Sequence, residues 1–433
     1  MVSWRVVAGV LLMTATSAFA QGQFAQGQIQ LGASTPASGA TQQPSLPTPP
    51  RVVAGQGGFA IESGDGDFRL QIGLLLHADA RFAFSDTTDQ LADTFFLRRL
   101  RPYFKGRFAR RFEFYLNPDF ANSTLVVQDM YVDTVFAPAF RLRAGKGKTP
   151  FGMERLHSAS NLLFMERALP TTVAPNRDIG IQALGDLHGG MFSYLAGVMN
   201  GVADGGSSDQ DTADGKDASG RFIVRPFDRK ATHPLRGLYV AVSGSVGSQT
   251  GTPLPTFVTR TLMQQYFAYA AGVANDGTRT RYSPQISYYH ERFGGFGEYV
   301  HSQAPIRRGA VREDIAHQAW QVAGSWVLTG EAATDAGIGV RPRSDFDFGN
   351  GHWGALQIAA RYHTLQIDEA AFTRGFAAAG ASRKAEAWTV GLNWYLTANF
   401  RYTFNFERTA FDEGAPGARP AENALAFRTG INF

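Results

Sequence analysis

Apolar and polar residues alternate with a period of two along most of this 433-residue chain. In the stretch FRLQIGLLLHADARFAF, residues 68–84, even positions are mostly Phe, Leu and Ile, while odd positions carry Arg, Gln, His and Asp. Successive side chains of a β-strand point to opposite faces, so this alternation predicts two-faced strands. After the N-terminus no apolar run is long enough for a membrane-spanning helix, so any segment that crosses a bilayer must be a strand.

The same alternation organises FLRRLRPYFKGRFARRF, residues 96–112. One face carries five apolar residues, Phe96, Leu100, Phe104, Phe108 and Phe112, and the other carries five cations, Arg99, Arg101, Lys105, Arg107 and Arg111. Two cations break the pattern. We expect Arg98 at a rim of the sheet and Arg110 in a tight turn between two strands.

A soluble β-sandwich and a membrane barrel would both produce this alternation. Three features favour the barrel. Residues 1–20 have the composition of a cleaved secretory signal peptide, with Ala18 and Ala20 just before the cut. The alternation also continues along the remaining chain, and ENALAFRTGINF ends in Phe433, a pattern typical of the recognition signal for outer-membrane barrel assembly. A closed barrel is the β-structure that pairs every backbone group in lipid.

Three segments follow from this interpretation. Residues 1–20 are the signal peptide, residues 21–55, rich in Gln, Gly, Ser, Thr and Pro, are a flexible periplasmic leader, and residues 56–433 are the barrel. The expected fold is an all-β, 16-stranded antiparallel transmembrane barrel with long extracellular loops. The strands are predicted at 68–84, 95–108, 111–120, 125–136, 140–148, 178–185, 191–199, 220–228, 237–248, 279–290, 295–303, 316–329, 353–363, 386–396, 400–408 and 422–433. The connection 330–352 is long for the periplasmic side, which leaves room for an error of one strand pair.

Parity also assigns charges to the inner face, and cations outnumber anions there. The inward residues that we single out are Arg99, Arg101, Lys105, Arg107, Arg141, Arg143, Arg221, Arg225, Arg281, Asp119, Asp129 and Asp133. Arginines two apart on a strand lie about 7 Å apart, so an oxyanion can pass from one guanidinium to the next. The alternative is that these arginines pair with carboxylates and only stabilise the wall.

Other classes of function find little support. The chain has no cysteine, which excludes disulfides and thiolate metal sites. Gly147, Lys148 and Thr149 mimic the end of a phosphate-binding loop, but Leu142 stands where that loop needs glycine. The Asp-rich segment 203–220 lacks calcium-loop spacing. We therefore expect no catalytic residue, no metal and no cofactor. An exported protein is also not expected to bind nucleic acid.

These residues resemble the phosphate-selective porin O and P family of Gram-negative outer membranes. The resemblance is densest in GKGKTPFGMERLHSASNLLFMERALPTTVAPNRDIGIQ (145–182) and returns in YSPQISYYHERFGGFGEYV (282–300), QAWQVAGSWVLTGE (318–331) and GLNWYLTANFRYTFNFERT (391–409). It implies a homotrimer with one channel per protomer and a third outer loop, 149–177, that folds into the lumen. It also implies that Arg221 and Arg225 belong to an arginine ladder, and that Lys146 or Lys148 is a pore lysine. Simple parity points both lysines outward unless Gly145 and Gly147 permit a bulge.

The expected function is a passive anion-selective channel for phosphate or similar small anions in the outer membrane. Its partners would be outer-membrane lipid, lipopolysaccharide and the barrel assembly machinery, which would read Phe433. Two alternatives remain: a general, weakly selective porin for small hydrophilic nutrients, and a plugged structural barrel.

Overall fold

The computed structural model describes residues 49–84, 93–211, 214–229, 232–335, 339–412 and 419–433. The predicted signal peptide and most of the predicted leader lie outside the described residues. Within these ranges no helix is long and apolar enough to cross a bilayer.

Sixteen strands of the described residues form the barrel. They are β3 (Arg69–Ala83), β4 (Thr94–Phe108), β5 (Phe112–Asp119), β6 (Val126–Ala137), β7 (Phe140–Lys148), β8 (Arg177–Leu187), β9 (Phe192–Met199), β10 (Asp217–Val224), β11 (Tyr239–Ser248), β15 (Thr278–His290), β16 (Phe293–Arg308), β17 (Val311–Val327), β18 (Ala355–Gln366), β19 (Lys384–Tyr395), β20 (Phe400–Asp412) and β21 (Glu422–Asn432). The remaining strands are β1 (Arg51–Gly55), β2 (Gly58–Glu62), β12 (Phe257–Val258), β13 (Gln265–Phe267) and β14 (Val273–Asn275). Helical segments are short: α1 (Ala370–Thr373) and the 3₁₀ turns Ala121–Ser123, Ala159–Asn161, Leu169–Thr172, His188–Gly190, Pro234–Gly237 and Phe348–Asn350.

The last strand closes the barrel against the first. β21 pairs with β3 in antiparallel register from Ala424 opposite Ala83 to Asn432 opposite Leu75. Phe433 and Leu74 then exchange two backbone hydrogen bonds of 3.1 and 3.0 Å. The predicted 16-stranded antiparallel barrel is confirmed, and each predicted strand overlaps an observed one. The described part of the connection 328–354 contains no barrel strand, so no strand pair is miscounted.

A short hairpin extends the sheet ahead of the barrel. β1 pairs with β2, and β2 pairs with the first residues of β3, from Phe59 opposite Ile72 to Glu62 opposite Arg69. Residues 51–55, assigned to the flexible leader from composition, therefore form a paired strand. Val52 and Val53 suit a strand better than the Gln- and Pro-rich segment before them.

The cation-rich strand β4 departs from simple parity at one point. His77 lies opposite Arg99 but Ala78 lies opposite Leu97, so Arg98 is an extra residue in a β-bulge. Before the bulge the faces are exchanged: Leu97 is exposed on the outer wall, and Phe96 lies inward under Arg81. The predictions that Phe96 faces outward and that Arg98 lies at a rim are therefore wrong. Arg110 does lie in the tight turn, with φ of 60°.

The two ends of the barrel differ. At the turn end, most connections are short, such as 109–111, 138–139 and 396–399. At the loop end most connections are longer, and three of them fold into the barrel: 149–176, 249–277 and 367–383. Their apolar side chains pack on the inner faces of β16, β17 and β18. This cluster includes Phe151, Leu169, Phe257, Phe267, Val300, Ile315, Leu365 and Phe376, all at most 2% exposed.

A substitution at Gly73 tests the closing seam between β3 and β21. A Cβ atom there would lie 2.2 Å from Cζ of Tyr103 and 2.3 Å from the carbonyl oxygen of Phe433. We expect Gly73→Ala to lower the free energy of unfolding by about 1–3 kcal/mol, because the ring and the chain end must both shift. The matched control is Gly244→Ala, where the added Cβ would lie 3.6 Å from the carbonyl oxygen of Arg281. Urea unfolding in lipid vesicles, followed by tryptophan fluorescence, measures both, and equal midpoints would contradict this account of the seam.

Candidate functional site: a constriction made by two inward loops

The segment 149–176, here called the constriction loop, follows β7 and crosses the interior of the barrel. Its backbone donates hydrogen bonds to side chains on three separated strands. Gly152 donates to Ser243 Oγ of β11 (3.0 Å), Leu169 to His363 Nδ1 of β18 (3.3 Å), and Met165 to Asn405 Oδ1 of β20 (2.7 Å). The loop is thus held inside the lumen by the wall.

Two Met-Glu-Arg tripeptides organise this loop, at 153–155 and 165–167. In each, the methionine is buried, with 0% exposure for Met153 and 3% for Met165. In each, the glutamate binds the wall. Glu154 accepts from Gln321 Nε2 of β17 at 3.0 Å and also lies 3.5 Å from Arg361 of β18.

The second glutamate, Glu166, gathers four arginines from three strands. Arg98 donates to it twice, at 2.7 and 3.1 Å, and Arg81 and Arg428 approach to 3.0 and 3.2 Å. Arg99 lies 3.7 Å away. Burial alone would raise the pKa of Glu166, but Arg98 and the other three arginines hold that pKa well below its ordinary value. The carboxylate therefore stays charged and fixes the loop to the wall.

A second loop, 249–277, enters the lumen from the same end. The backbone N–H of Thr261 donates to Glu407 Oε1 of β20 at 3.1 Å, and its carbonyl oxygen accepts from Arg81 at 2.5 Å. Arg260 Nε donates to the carbonyl oxygen of Arg167 at 2.7 Å, so the two loops touch. Sequence reasoning treated 249–277 as an ordinary outer connection and missed this role.

Four cations lie where the loops meet, and we call them the loop cations: Lys148, Arg155, Arg167 and Arg260. They donate to backbone carbonyl oxygens. Arg167 reaches those of Glu154 (2.9 Å) and His157 (2.7 Å), and Lys148 reaches Leu156 (3.0 Å) and His157 (2.8 Å).

Among the described residues, none of the four loop cations has a carboxylate oxygen within 4 Å. Burial lowers the pKa of Arg167 to about 10, while Glu154 opposes this shift and Arg177 adds to it. Burial lowers the pKa of Arg155 and Arg260 as well. No ion pair among the described residues neutralises these four cations.

Strand parity cannot identify Arg155, Arg167 and Arg260, because they lie in loops. The repeated Met-Glu-Arg tripeptide was the signal in the sequence that would have pointed to two of them.

Most of the cations singled out on the wall are paired. Arg101 binds Asp119 (2.7 Å), Arg143 binds Asp133 (2.7 Å), Arg141 binds Glu113 (3.1 Å), Arg107 approaches Glu62 (3.6 Å), Arg281 binds Asp204 and Asp217 (2.7 and 3.2 Å), and Arg99 contacts Glu166 as described. Asp129 binds Arg177 at 2.9 Å. Lys146 pairs with Asp209 and donates to the carbonyl oxygen of Val127 at 2.6 Å, so its ammonium group is used by an outer connection.

Lys105, Arg221 and Arg225 have no carboxylate within 4 Å among the described residues. Arg221 donates to Gln285 Oε1 (2.8 Å) and Arg225 to Ser193 Oγ (2.8 Å), while Lys105 lies 5.8 Å from the centre of the Tyr103 ring. These three wall cations and the four loop cations are thus among the described groups with charge to offer to an anion. In the described part of the chain no three side chains are arranged to hold a metal ion.

Comparison with known proteins decides the family. Residues 70–433 match the sequence profile of the family described as phosphate-selective porin O and P. The chain belongs to this family. No curated protein sequence is significantly similar to this porin.

Three solved structures illustrate the fold. The porin is similar to the channel DcaP of Acinetobacter baumannii (TM-score 0.54, 9% identity, 84% of this chain and 97% of that chain). It is similar to OmpF of Salmonella typhi in complex with daunomycin (0.52, 11%, 85% and 98%) and to the trimer form of Vibrio cholerae OmpT (0.51, 12%, 84% and 99%). Identities this low show the fold alone. Together with the family they place this porin in the outer membrane as a channel-forming barrel, with the turn end towards the periplasm.

The role of Glu166 in holding the constriction loop against the wall can be tested by substitution. We expect Glu166→Gln to raise single-channel conductance and current noise at neutral pH, because removing one partner of a buried ion pair costs about 3–5 kcal/mol and frees the loop. Glu113→Gln is the control, since its partner Arg141 is a partly exposed wall residue. Indistinguishable traces from the wild type and Glu166→Gln would show that the carboxylate does not hold the constriction.

The titration of the Glu166 carboxylate should also make the conductance depend on pH. The pKa of Glu166 is lower in the folded protein than its ordinary value of 4.5, so the charged carboxylate stabilises the folded state fully above pH 4.5. This stabilisation is lost as the pH falls through the folded-state pKa. Wild-type conductance should therefore stay constant from about pH 7 to 4.5 and rise only in stronger acid, where Glu166 is protonated. A rise that begins near pH 6 would implicate a different group.

Proposed function

We propose that this porin is a passive anion-selective channel whose substrates are phosphate-type oxyanions. The observation that carries the proposal is the set of loop cations, Lys148, Arg155, Arg167 and Arg260, which lie where the two inward loops meet and have no described carboxylate within 4 Å. A narrow, partly dehydrated passage strengthens their field. Small cations are therefore repelled and anions are attracted.

The wall supplies weaker contacts along the path. Arg221, Arg225 and Lys105 keep uncompensated charge, so an anion that leaves the constriction meets further donors. Guanidinium groups offer several N–H donors that match oxyanion geometry. The paired cations Arg99, Arg101 and Arg107 contribute less, because a carboxylate or carbonyl oxygen already takes part of their charge. Each contact must stay weak enough for the anion to move on.

We also propose that the porin is a homotrimer, is exported by the signal peptide at residues 1–20 and is assembled through Phe433. Its fold likeness to an OmpT structure described as a trimer form supports the first point. The alternating C-terminal strand β21, which closes the barrel, supports the last. The leader and the hairpin β1–β2 would lie on the periplasmic side.

The second candidate is a general, weakly selective porin. The ion pairs of the wall favour it, since Arg101, Arg141 and Arg143 each bind an inward carboxylate. In that case the lumen would be nearly neutral to a passing solute. The two candidates differ in what the loop cations do to selectivity.

The double variant Arg167→Gln, Arg260→Gln distinguishes them. We expect wild-type channels in a tenfold KCl gradient to give a reversal potential on the anion-selective side. The double variant should move it towards zero by about half, because two of the four loop cations at the constriction are removed. The planar-bilayer measurement uses Arg408→Gln as control, since Arg408 is exposed and contacts Asn423 at 3.0 Å.

A wild-type potential near zero would favour the general porin and overturn anion selectivity. An equal shift in Arg408→Gln would mean that total charge, and not the constriction, sets the potential. Chloride current that phosphate fails to block would leave anion selectivity but remove phosphate as its substrate.

A further inference from the structure

One inward arginine differs from the paired arginines of the wall. Arg401 lies at the start of β20, at the turn end of the barrel, and is 6% exposed. Its Nε and Nη1 atoms have no hydrogen-bond partner among the described residues, and no described carboxylate lies within 4 Å of it. The ring of Tyr395 lies 5.7 Å from its guanidinium carbon, within range of a cation–π contact. A buried charge with free donors is costly, so a counter-ion is expected beside it.

A cleft that opens to solvent adjoins this guanidinium. Three parts of the chain meet there: the wall, the constriction loop through Ser160 and Asn161, and the long turn-end connection through Gly339. Gly430 lies opposite Arg401 in the sheet. A Cβ at Gly430 would lie 3.6 Å from Arg401 Cγ and 3.5 Å from His77 Cδ2, so the glycine leaves this space open.

The charges around the cleft favour an anion. No carboxylate is among the described residues that line it. His77 takes part as a neutral donor, because its Nδ1 accepts from Arg99 at 3.0 Å and its proton then lies on Nε2. Arg428, the next cation, is saturated by Asp79 (2.6 and 2.7 Å) and Glu166. The free donors of Arg401 are therefore left for a ligand.

We propose that Arg401 forms a second anion subsite, on the periplasmic side of the constriction, which holds a small oxyanion such as inorganic phosphate or a simple carboxylate. The anion accepts from the guanidinium of Arg401, with the His77 imidazole and the Asn161 amide beside it. This deepens the proposed function, on which it rests for the route by which anions arrive. Two subsites in series allow an incoming anion at the loop cations to displace the one at Arg401 by repulsion.

The experiment uses the full-length porin and inorganic phosphate or acetate as the probe. In planar bilayers, phosphate added on the periplasmic side should block chloride current, and Arg401→Gln should raise the half-blocking concentration about tenfold. The reversal potential should change little, because the loop cations remain. The control is Arg408→Gln, which changes an exposed arginine of the same strand. Its half-blocking phosphate concentration should equal that of the wild type. Acetate in place of phosphate distinguishes the two oxyanion classes.

A second measurement separates this proposal from anion selectivity itself. In detergent, phosphate should raise the thermal midpoint of the wild type by more than that of Arg401→Gln, in which only the loop cations remain to bind it. If the wild type proves non-selective but this difference persists, the proposed function fails and the subsite stands. If phosphate blocks and stabilises Arg401→Gln as it does the wild type, the proposed subsite is overturned. Should Arg401→Gln not fold, Gly430→Ala, whose Cβ makes only ordinary contacts, narrows the cleft and must weaken the block.

Discussion

The backbone seam between β3 and β21 is the contact on which the rest of this porin depends. In a bilayer no water can satisfy an unpaired strand edge, so the first and last strands must meet. They do so over nine residue pairs, and Phe433 and Leu74 complete the ladder. Closure gives every strand a lipid face and an inner face. All later features, including the cationic inner wall, the inward loops and the constriction, are arranged on that inner face.

Inside the closed wall, two kinds of cation have different roles. Wall arginines such as Arg101, Arg143 and Arg281 bind carboxylates on neighbouring strands or in an outer loop, which stabilises the inner face at low local dielectric. The loop cations instead donate to carbonyl oxygens and keep their net charge. The Met-Glu-Arg tripeptides combine both roles in one segment: Glu154 and Glu166 bind the wall, while Arg155 and Arg167 have no acid partner within 4 Å in the described part of the chain.

The inward loops also explain why part of the inner wall is apolar. Val300, Ile315 and Leu365 face inward on β16, β17 and β18 and are at most 2% exposed, because side chains of the loops cover them. This dry packing and the Glu166 ion pairs hold the constriction loop from two sides. The wall cations that retain some exposure, such as Arg107 and Arg141, lie in the opposite sector, on β4 and β7.

The sequence by itself determined the barrel. Side chains of a strand alternate between its two faces whatever surrounds the strand, so the two-residue alternation predicts which residues face lipid. The repetition of this alternation along the chain predicts sixteen strands. It also predicted the inward wall arginines and the turn at Arg110. It did not predict the bulge at Arg98, the entry of 249–277 or the loop cations. Those depend on contacts between residues as distant as Glu166 and Arg428, and no local period carries such information. Only the tertiary structure decided which arginines are neutralised and which, like Arg167 and Arg401, keep a charge to offer.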